Sequence, residues 1–260
     1  MNEVMDVLLK RKSMRAYEQR EIDPDVKAAI LQATLRAPTA GNMMLYSVID
    51  VTDQTIKDRL AVTCDDQPFI ARAPLIWLFL ADYQRWQDYF MSCSVDKICA
   101  DKNEPMRNPA EGDLFLACCD ALIAAQNAVI AAESFGVGSC YIGDIMEQYE
   151  THKALFNLPQ YVFPICMLCF GYPTNQQKGR AQSERFDQKF IVFENSYHHL
   201  GMDEFDEMFQ ARYRQMFGKR QEIEGSTNVG QAIYRRKFNA EFTYEMTRSV
   251  RLILKEWASA

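Results

Sequence analysis

The stretch LFLACCDALIAAQNAVIAAESF, residues 114–135, decides the fold. It contains neither proline nor glycine. Only Asp120, Gln126, Asn127 and Glu133 interrupt its apolar and small residues. As a helix it is roughly 33 Å long. A helix apolar nearly all round must be buried nearly all round. A chain of this length covers such a helix only with a sheet, other helices or a partner subunit. Gly136 follows as a left-handed cap.

Outward from this helix, GVGSCYIG (136–143) enters a short strand around Ser139–Ile142. A helix near Met146–Phe156 comes next, and Tyr161–Tyr172 contains a buried strand. Upstream, APLIWLFLA (73–81) is a strand apolar on both faces, which implies cover on both sides. Leu45–Val51 alternates weakly and reads as a further strand. Asp23 and Pro24 make a helix start, N-cap then first position, for a helix to about Arg36. Val26, Ile30, Leu31 and Thr34 share one face of it. Residues 2–10 read as a short helix with apolar Val4, Met5, Leu8 and Leu9, and Pro38, Gly41 and Asn42 mark a loop. From Gly201 the texture turns helical and charge-balanced, with Gly218, Gly225 and Gly230 around a polar loop. The pattern predicts an α+β protein with a modest mixed or antiparallel sheet flanked by helices. Residues 1–200 form the core, and 201–260 a helical excursion of the same domain that wraps a surface.

Composition narrows the function. Of 260 residues, 48% are apolar and 25% charged, the profile of a globular protein. The net charge of −6 and a pI near 5.2 argue against non-specific nucleic-acid binding. The N-terminus carries Glu3 and Asp6 and does not read as a signal peptide. The longest uncharged apolar run, Ala73–Ala81, is far short of the ~20 residues a bilayer span needs. A cytoplasmic location is expected.

Several common site types are missing. There is no GxSxG, HExxH or Walker loop. Gly136, Gly138 and Gly143 follow a helix and enter a strand, the reverse of a dinucleotide fingerprint. His152 is expected on a surface helix, and His198 and His199 follow a tyrosine; three histidines without convergent partners do not make a zinc or general-base site. Cys166 and Cys169 form a CxxC inside an apolar strand, where they point to opposite faces. The eight cysteines read as free thiols, mostly interior, and no metal is expected. What remains is anion chemistry. Lys10, Arg11, Lys12 and Arg15 cluster around Ser13, and Lys178 and Arg180 form a later pair. Two guanidiniums and an ammonium that converge would match a phosphate dianion. If a helical turn connects them, Arg11 and Arg15 project from neighbouring positions.

The order of the pieces adds to this. RKSMRAY, then RAPTAGNMM, Gln67 before a buried strand, AAQNAVIAAESFGVGSCYIG, PICMLCFGYP and a late KxR together resemble the flavin-dependent nitroreductase family, over residues 1 to about 200. The nearest branch is that of the oxygen-insensitive NADPH nitroreductases and NADPH–flavin oxidoreductases. The resemblance implies the nitroreductase fold, an intertwined homodimer, non-covalent FMN at the dimer interface and NAD(P)H as co-substrate. It implies ping-pong hydride transfer to nitroaromatics, quinones or flavins. A dedicated reductase or dehalogenase for another metabolite, or an FMN-binding protein without turnover, are the alternatives. By the same resemblance, Arg11, Lys12, Ser13 and Arg15 serve the FMN phosphate, ribityl chain and pyrimidine edge. Pro38, Thr39, Ala40 and Asn42 form the loop laid against the ring by the other subunit. Gln67 hydrogen-bonds the flavin, Tyr141, Ile142 and Gly143 cover one ring face, and Lys178 and Arg180 complete the phosphate site. No side chain is expected to act as catalytic nucleophile or base. Asp144 departs from the pattern, since many relatives have a second glycine there. Lys219 and Arg220 are candidates for a nucleotide 2′-phosphate, though solvated charges are the simpler reading.

Overall fold

Four strands, β1 (Tyr46–Asp50), β2 (Leu75–Asp82), β3 (Gly138–Ile142) and β4 (Val162–Gly171), form one sheet in the order β1-β2-β4-β3. Every neighbouring pair is antiparallel. The computed structural model describes residues 2–259. β2 is buried at each of its positions, as its unbroken apolar run requires of a central strand. Alternation sends Trp77, Phe79, Cys166, Leu168 and Phe170 to one face. Ile76, Leu78, Met167 and Cys169 go to the other. The two cysteines of the CxxC thus lie in different cores, and burial pushes the Cys166 thiol up to about 12.

The helices are α1 (Glu3–Lys10), α2 (Pro24–Leu35), α3 (Gln54–Thr63), α4 (Pro68–Ala71), α5 (Gln84–Ser92), α6 (Val95–Asp101), α7 (Glu111–Ser134), α8 (Tyr149–Leu155), α9 (Asn175–Gly179), α10 (Met202–Phe217), α11 (Val229–Ile233) and α12 (Glu241–Trp257). Asp23 caps α2 by accepting from the Asp25 N–H, with Pro24 in the first turn. α7 ends as expected: Gly136 has φ 71°, and the Val137 N–H donates back to Ala132 O at 3.0 Å.

The chain divides into two compact units. The first holds the residues up to Arg180 together with those from Glu245 on; the second is Ala181–Tyr244. The expected boundary at 200/201 falls inside the second unit, and the end of the expected arm, from Glu245, packs in the first. There Ile253 and Trp257 of α12 join Leu45, Tyr149, Tyr161 and Phe163 in a third core. In the second unit Phe217, Val229 and Ala232 form a small core of their own. α10 and the start of α11 line a cavity of about 600 Å³ whose walls include Phe205, Phe209, Tyr213 and Val229.

Burial within the single chain departs from the simplest reading of the sequence in two places. α7 is long and apolar enough to cross a membrane by length and composition, but within the chain only one side of it is covered. Ala117, Ala121, Ala124, Ala125, Ala128 and Ala132 are fully buried, and several of them lie against the sheet. Phe115, Leu116, Leu122 and Ile123 are exposed, Phe115 by 67%. Small residues let the helix approach the sheet closely, while the bulky ones face outward. The apolar face of α1 is likewise bare at Val4, Met5, Leu8 and Leu9, and Leu31 of α2 is exposed. His152 fails in the opposite sense. It is buried completely, with Nδ1 2.9 Å from Ile145 O and Nε2 2.8 Å from Thr63 Oγ1. A carbonyl can only accept, so Nδ1 carries a proton. Burial lowers the pKa of the ring and favours its neutral form.

Candidate functional site

α1 stops at Lys10, and the chain then runs extended along the free edge of β3. The Met14 N–H donates to Ser139 O at 2.9 Å, and Tyr17 bridges to Pro173. No helical turn joins Arg11 to Arg15. Extended backbone alternates instead: Met14 turns inward and is buried, while residues 11, 13 and 15 share the other side. Two facing glycines make room for this crossing. A Cβ on Gly138 would sit 2.6 Å from Met14 Cγ, and one on Gly171 2.7 Å from the Tyr17 ring. Tyr17 locks the crossing from inside: its hydroxyl proton is shared between Met14 O (2.8 Å) and Cys169 O (3.2 Å).

The late basic loop closes on this segment. Lys12 Nζ donates to Lys178 O at 2.7 Å and to Arg180 O. The Arg180 guanidinium donates to Ser13 O, and the Arg15 N–H to Gln177 Oε1 at 3.2 Å. Backbone carbonyls fix Lys12 and Arg180 without neutralising them. Lys178 differs, for it forms an ion pair with Glu18 at 3.2 Å. The charges converge on β3. Burial raises the pKa of the Cys140 thiol, and Arg15, Arg11 and Arg180 all oppose that rise. Burial pushes the Glu133 carboxyl up to about 7, against Arg11. A cavity of about 680 Å³ opens beside the same segment, with Arg15, Arg20 and Arg72 in its wall.

At the far end of β3, Tyr141 donates its hydroxyl to Gln126 Oε1 at 3.2 Å. The Ile142 side chain is buried in the core, so only its backbone is left to face a ligand. Gly143 is exposed, and a Cβ there would meet nothing within 4 Å. Gln67, just before α4, donates its amide to Cys64 O and to Asp144 Oδ2, both at 2.8 Å. The residues carried over as Arg11, Lys12, Ser13, Arg15, Gln67, Tyr141, Ile142, Gly143, Lys178 and Arg180 thus lie along β3 and the turns at its two ends.

The loop from Pro38 to Asn42 lies elsewhere. Its anchor is Asp120 of α7, which is 2% exposed. The Asp120 carboxylate accepts from Thr39 Oγ1, from the Ala40 N–H at 3.0 Å and from the Leu45 N–H at 3.1 Å. A buried carboxylate needs such donors, and the loop supplies them. Gly41 and Asn42 complete the turn with φ of 56° and 57°. Sequence reasoning missed this role, although a lone acid in an apolar helix was its visible signal. The loop leads into β1, the opposite edge strand from β3. Counting strand spacings and register steps from Ser139 to Tyr46 gives a separation on the order of 25 Å. One chain therefore does not bring Pro38, Thr39, Ala40 and Asn42 to the basic cluster. Lys219 and Arg220 are exposed in the second unit, directly after α10.

Residues 8–172 match the model of the nitroreductase family. The chain belongs to that family. It is 27% identical over 231 residues to a protein of Bacillus subtilis (strain 168) named FMN reductase (NADPH), covering 85% of this chain and 88% of that one. It is 28% identical over 213 residues to the oxygen-insensitive NADPH nitroreductase of Salmonella typhimurium, covering 82% and 80%. The crystal structure of nitroreductase A from Vibrio parahaemolyticus superimposes with a TM-score of 0.81 over 99% of this chain and 98% of that one, at 24% identity. The nitroreductase fold inferred from the order of motifs is thereby established.

Proposed function

We propose that this nitroreductase-family chain is an FMN-dependent NAD(P)H oxidoreductase of the cytoplasm. It acts as a homodimer on nitroaromatics, quinones or free flavins. One observation carries the reading: Lys12 and Arg180, far apart in sequence, meet beside β3 on backbone acceptors that leave their charge in place, with Arg11 and Arg15 on the same extended segment. Such a cluster suits a phosphate. The names of the relatives, an FMN reductase (NADPH) and an NADPH nitroreductase, point to the same chemistry.

The residues present fit FMN. Lys12, Arg11 and Arg180 would hold the phosphate, with Ser13 beside it. Gly143, open on its outer side, admits the close approach of a flat ring. When bound, FMN supplies hydride chemistry, taking two electrons from NAD(P)H and giving them to a second molecule in the same slot. The protein's part is placement and charge. Arg15 would place a guanidinium that favours negative charge on the bound ring. The 38–42 loop, pinned at the wrong edge for its own chain, would reach a partner's ring. The bare faces of α1 and α7 supply the apolar surface that such a partner covers.

The test is the absorption spectrum of the purified protein. It should be yellow with about one releasable FMN per chain, should bleach when NADPH is added without oxygen, and should scatter light as a dimer. A colourless protein that fails to take up added FMN would sink the reading.

A further inference from the structure

The side chain of Gln67 is oriented. Its amide meets the backbone carbonyl of Cys64 at 2.8 Å and Asp144 Oδ2 at 2.8 Å. A backbone carbonyl can only accept, so the end of the amide that meets it is the NH₂ group. Both amide protons are then spent, one on each partner. The carbonyl end, Oε1, is what Gln67 has left for a ligand, which must bring an N–H or O–H. Asp144 itself leads the turn after Gly143, so its place is set by the end of β3.

The surroundings of Asp144 are acidic. Burial first, then Asp144, Asp65 and Glu245, push the Glu147 carboxyl up to about 7. Burial and the Asp144 charge also raise the Cys64 thiol, to well above its usual range. Carboxylates therefore gather past the finish of β3, Glu245 among them paired with Arg248 at 2.8 Å, while the basic residues lie nearer its start.

We propose that Asp144 is a positioning residue. It holds the Gln67 amide with Oε1 outward, selecting a ligand edge that carries an N–H, and its charge favours oxidised over reduced cofactor. The proposal rests on the FMN reading above; the oxidised flavin ring offers such a donor in its pyrimidine N–H. A nearby carboxylate opposes the negative charge that reduction brings.

Two variants separate the parts. Asp144→Ala removes both the acceptor and the charge. Asp144→Asn keeps an acceptor of the same size but removes the charge. Oxidised FMN should bind about tenfold more weakly to Asp144→Ala, and within about threefold of wild type to Asp144→Asn. In both, the ratio of reduced to oxidised FMN affinity should rise about tenfold, which is a two-electron midpoint potential higher by about 30 mV. Thermal unfolding of each variant identifies a loss due to misfolding. If the alanine variant does not fold, the isosteric variant still decides by its potential. Wild-type FMN affinity and potential in both variants would overturn the proposal and leave the FMN reading standing. Failure of the wild type itself to bind FMN would overturn both.

Discussion

The two ends of β3 are four residues apart in the chain and differ in the charges gathered around them. Arg11, Arg15 and Arg180 act on Cys140 at its middle, and the segment that carries Arg11 and Arg15 pairs with Ser139 near its start. Asp144, with Asp65 and Glu245, acts on Glu147 just past its finish. The cationic end is assembled from two distant segments, in which Lys12 and Arg180 rest on carbonyl oxygens and so keep their charge. The anionic end is assembled by burial, and one of its members, Glu147, is pushed toward neutrality. An anionic group fits the first end and a hydrogen-bonding edge the second. A ligand with a phosphate at one extremity and a heteroaromatic ring at the other spans both.

The largest expected effect leaves both ends untouched. If the pinned loop serves a second chain, breaking the bare face of α7 should abolish binding while β3 stays intact. Ile123→Asp places a charge on that exposed face, where it costs the isolated chain little. In a dimer it would be buried and unpaired, a cost of about 3–5 kcal/mol. Light scattering should report a folded monomer, and FMN affinity should drop by at least about 100-fold. A folded monomer that binds FMN normally would show that a single chain completes the site.

The next effect tests the cationic end. Arg180→Ala removes the guanidinium that meets Ser13 O, and FMN affinity should fall about 10- to 100-fold, as for loss of a charge-assisted contact. Lys178→Ala should change it by no more than about threefold. Its ammonium is already paired with Glu18 and half exposed, where such pairs are worth little. Equal losses at the two positions would break the distinction drawn between them, and titration of FMN fluorescence measures both.

Much of this was readable before the structure, though unevenly. β2 and α7 follow from run length and residue type, because burial on both sides of a strand, or around a helix, leaves a plain compositional mark. The crossing of residues 14–17 over Gly138 and Gly171 does not, since the side chains a Cβ there would meet most closely, Met14 and Tyr17, lie more than 100 residues away in the chain. Asp120 was conspicuous, but its donors at Thr39, Ala40 and Leu45 lie in another segment and no local pattern names them. His152 misled because Glu150 and Lys153 give its helix a solvated texture; what buries it is Thr63 on α3 and the turn at Ile145. Arg11 and Arg15 were joined by helical spacing, whereas pairing to Ser139 holds them extended. The positions of the site residues came from resemblance to a family. Physical chemistry alone reached only as far as two basic clusters that suit an anion.

A smaller effect compares the ends directly. Arg15→Gln keeps a polar N–H donor on a shorter side chain but removes the charge. The two-electron midpoint potential of bound FMN should fall, since a cation near the ring favours the reduced state. A loss of ~1–2 kcal/mol corresponds to tens of millivolts. The sign is opposite to that expected for Asp144→Asn, and dye equilibration reads both. Shifts in the same direction would mean that charge near β3 does not set the potential.

The last effect, on stability and not on the ligand, belongs to Glu147 and has a definite pH window. Glu147 is 5% exposed, and its Oε1 lacks a hydrogen-bond partner. Its carboxyl titrates at about 7 in the folded chain, raised from 4.5 by burial and then by Asp144, Asp65 and Glu245. Between these values the folded state holds the proton more tightly than the unfolded state does. Stability therefore falls as pH rises through the window, and the whole penalty is present above about 7. At 1.36 kcal/mol per pKa unit the penalty is at most about 3 kcal/mol, less what water reaching the group recovers. Glu147→Gln has the same shape and no charge to lose. It should melt a few degrees above wild type at pH 8 and together with it at pH 4.5. Adding Asp144→Asn should narrow the gap at pH 8, because removing one repelling carboxylate lowers the pKa of Glu147 in the wild-type background. A difference in melting temperature that is the same at both pH values would show that packing, and not the ionisation of Glu147, separates the two proteins.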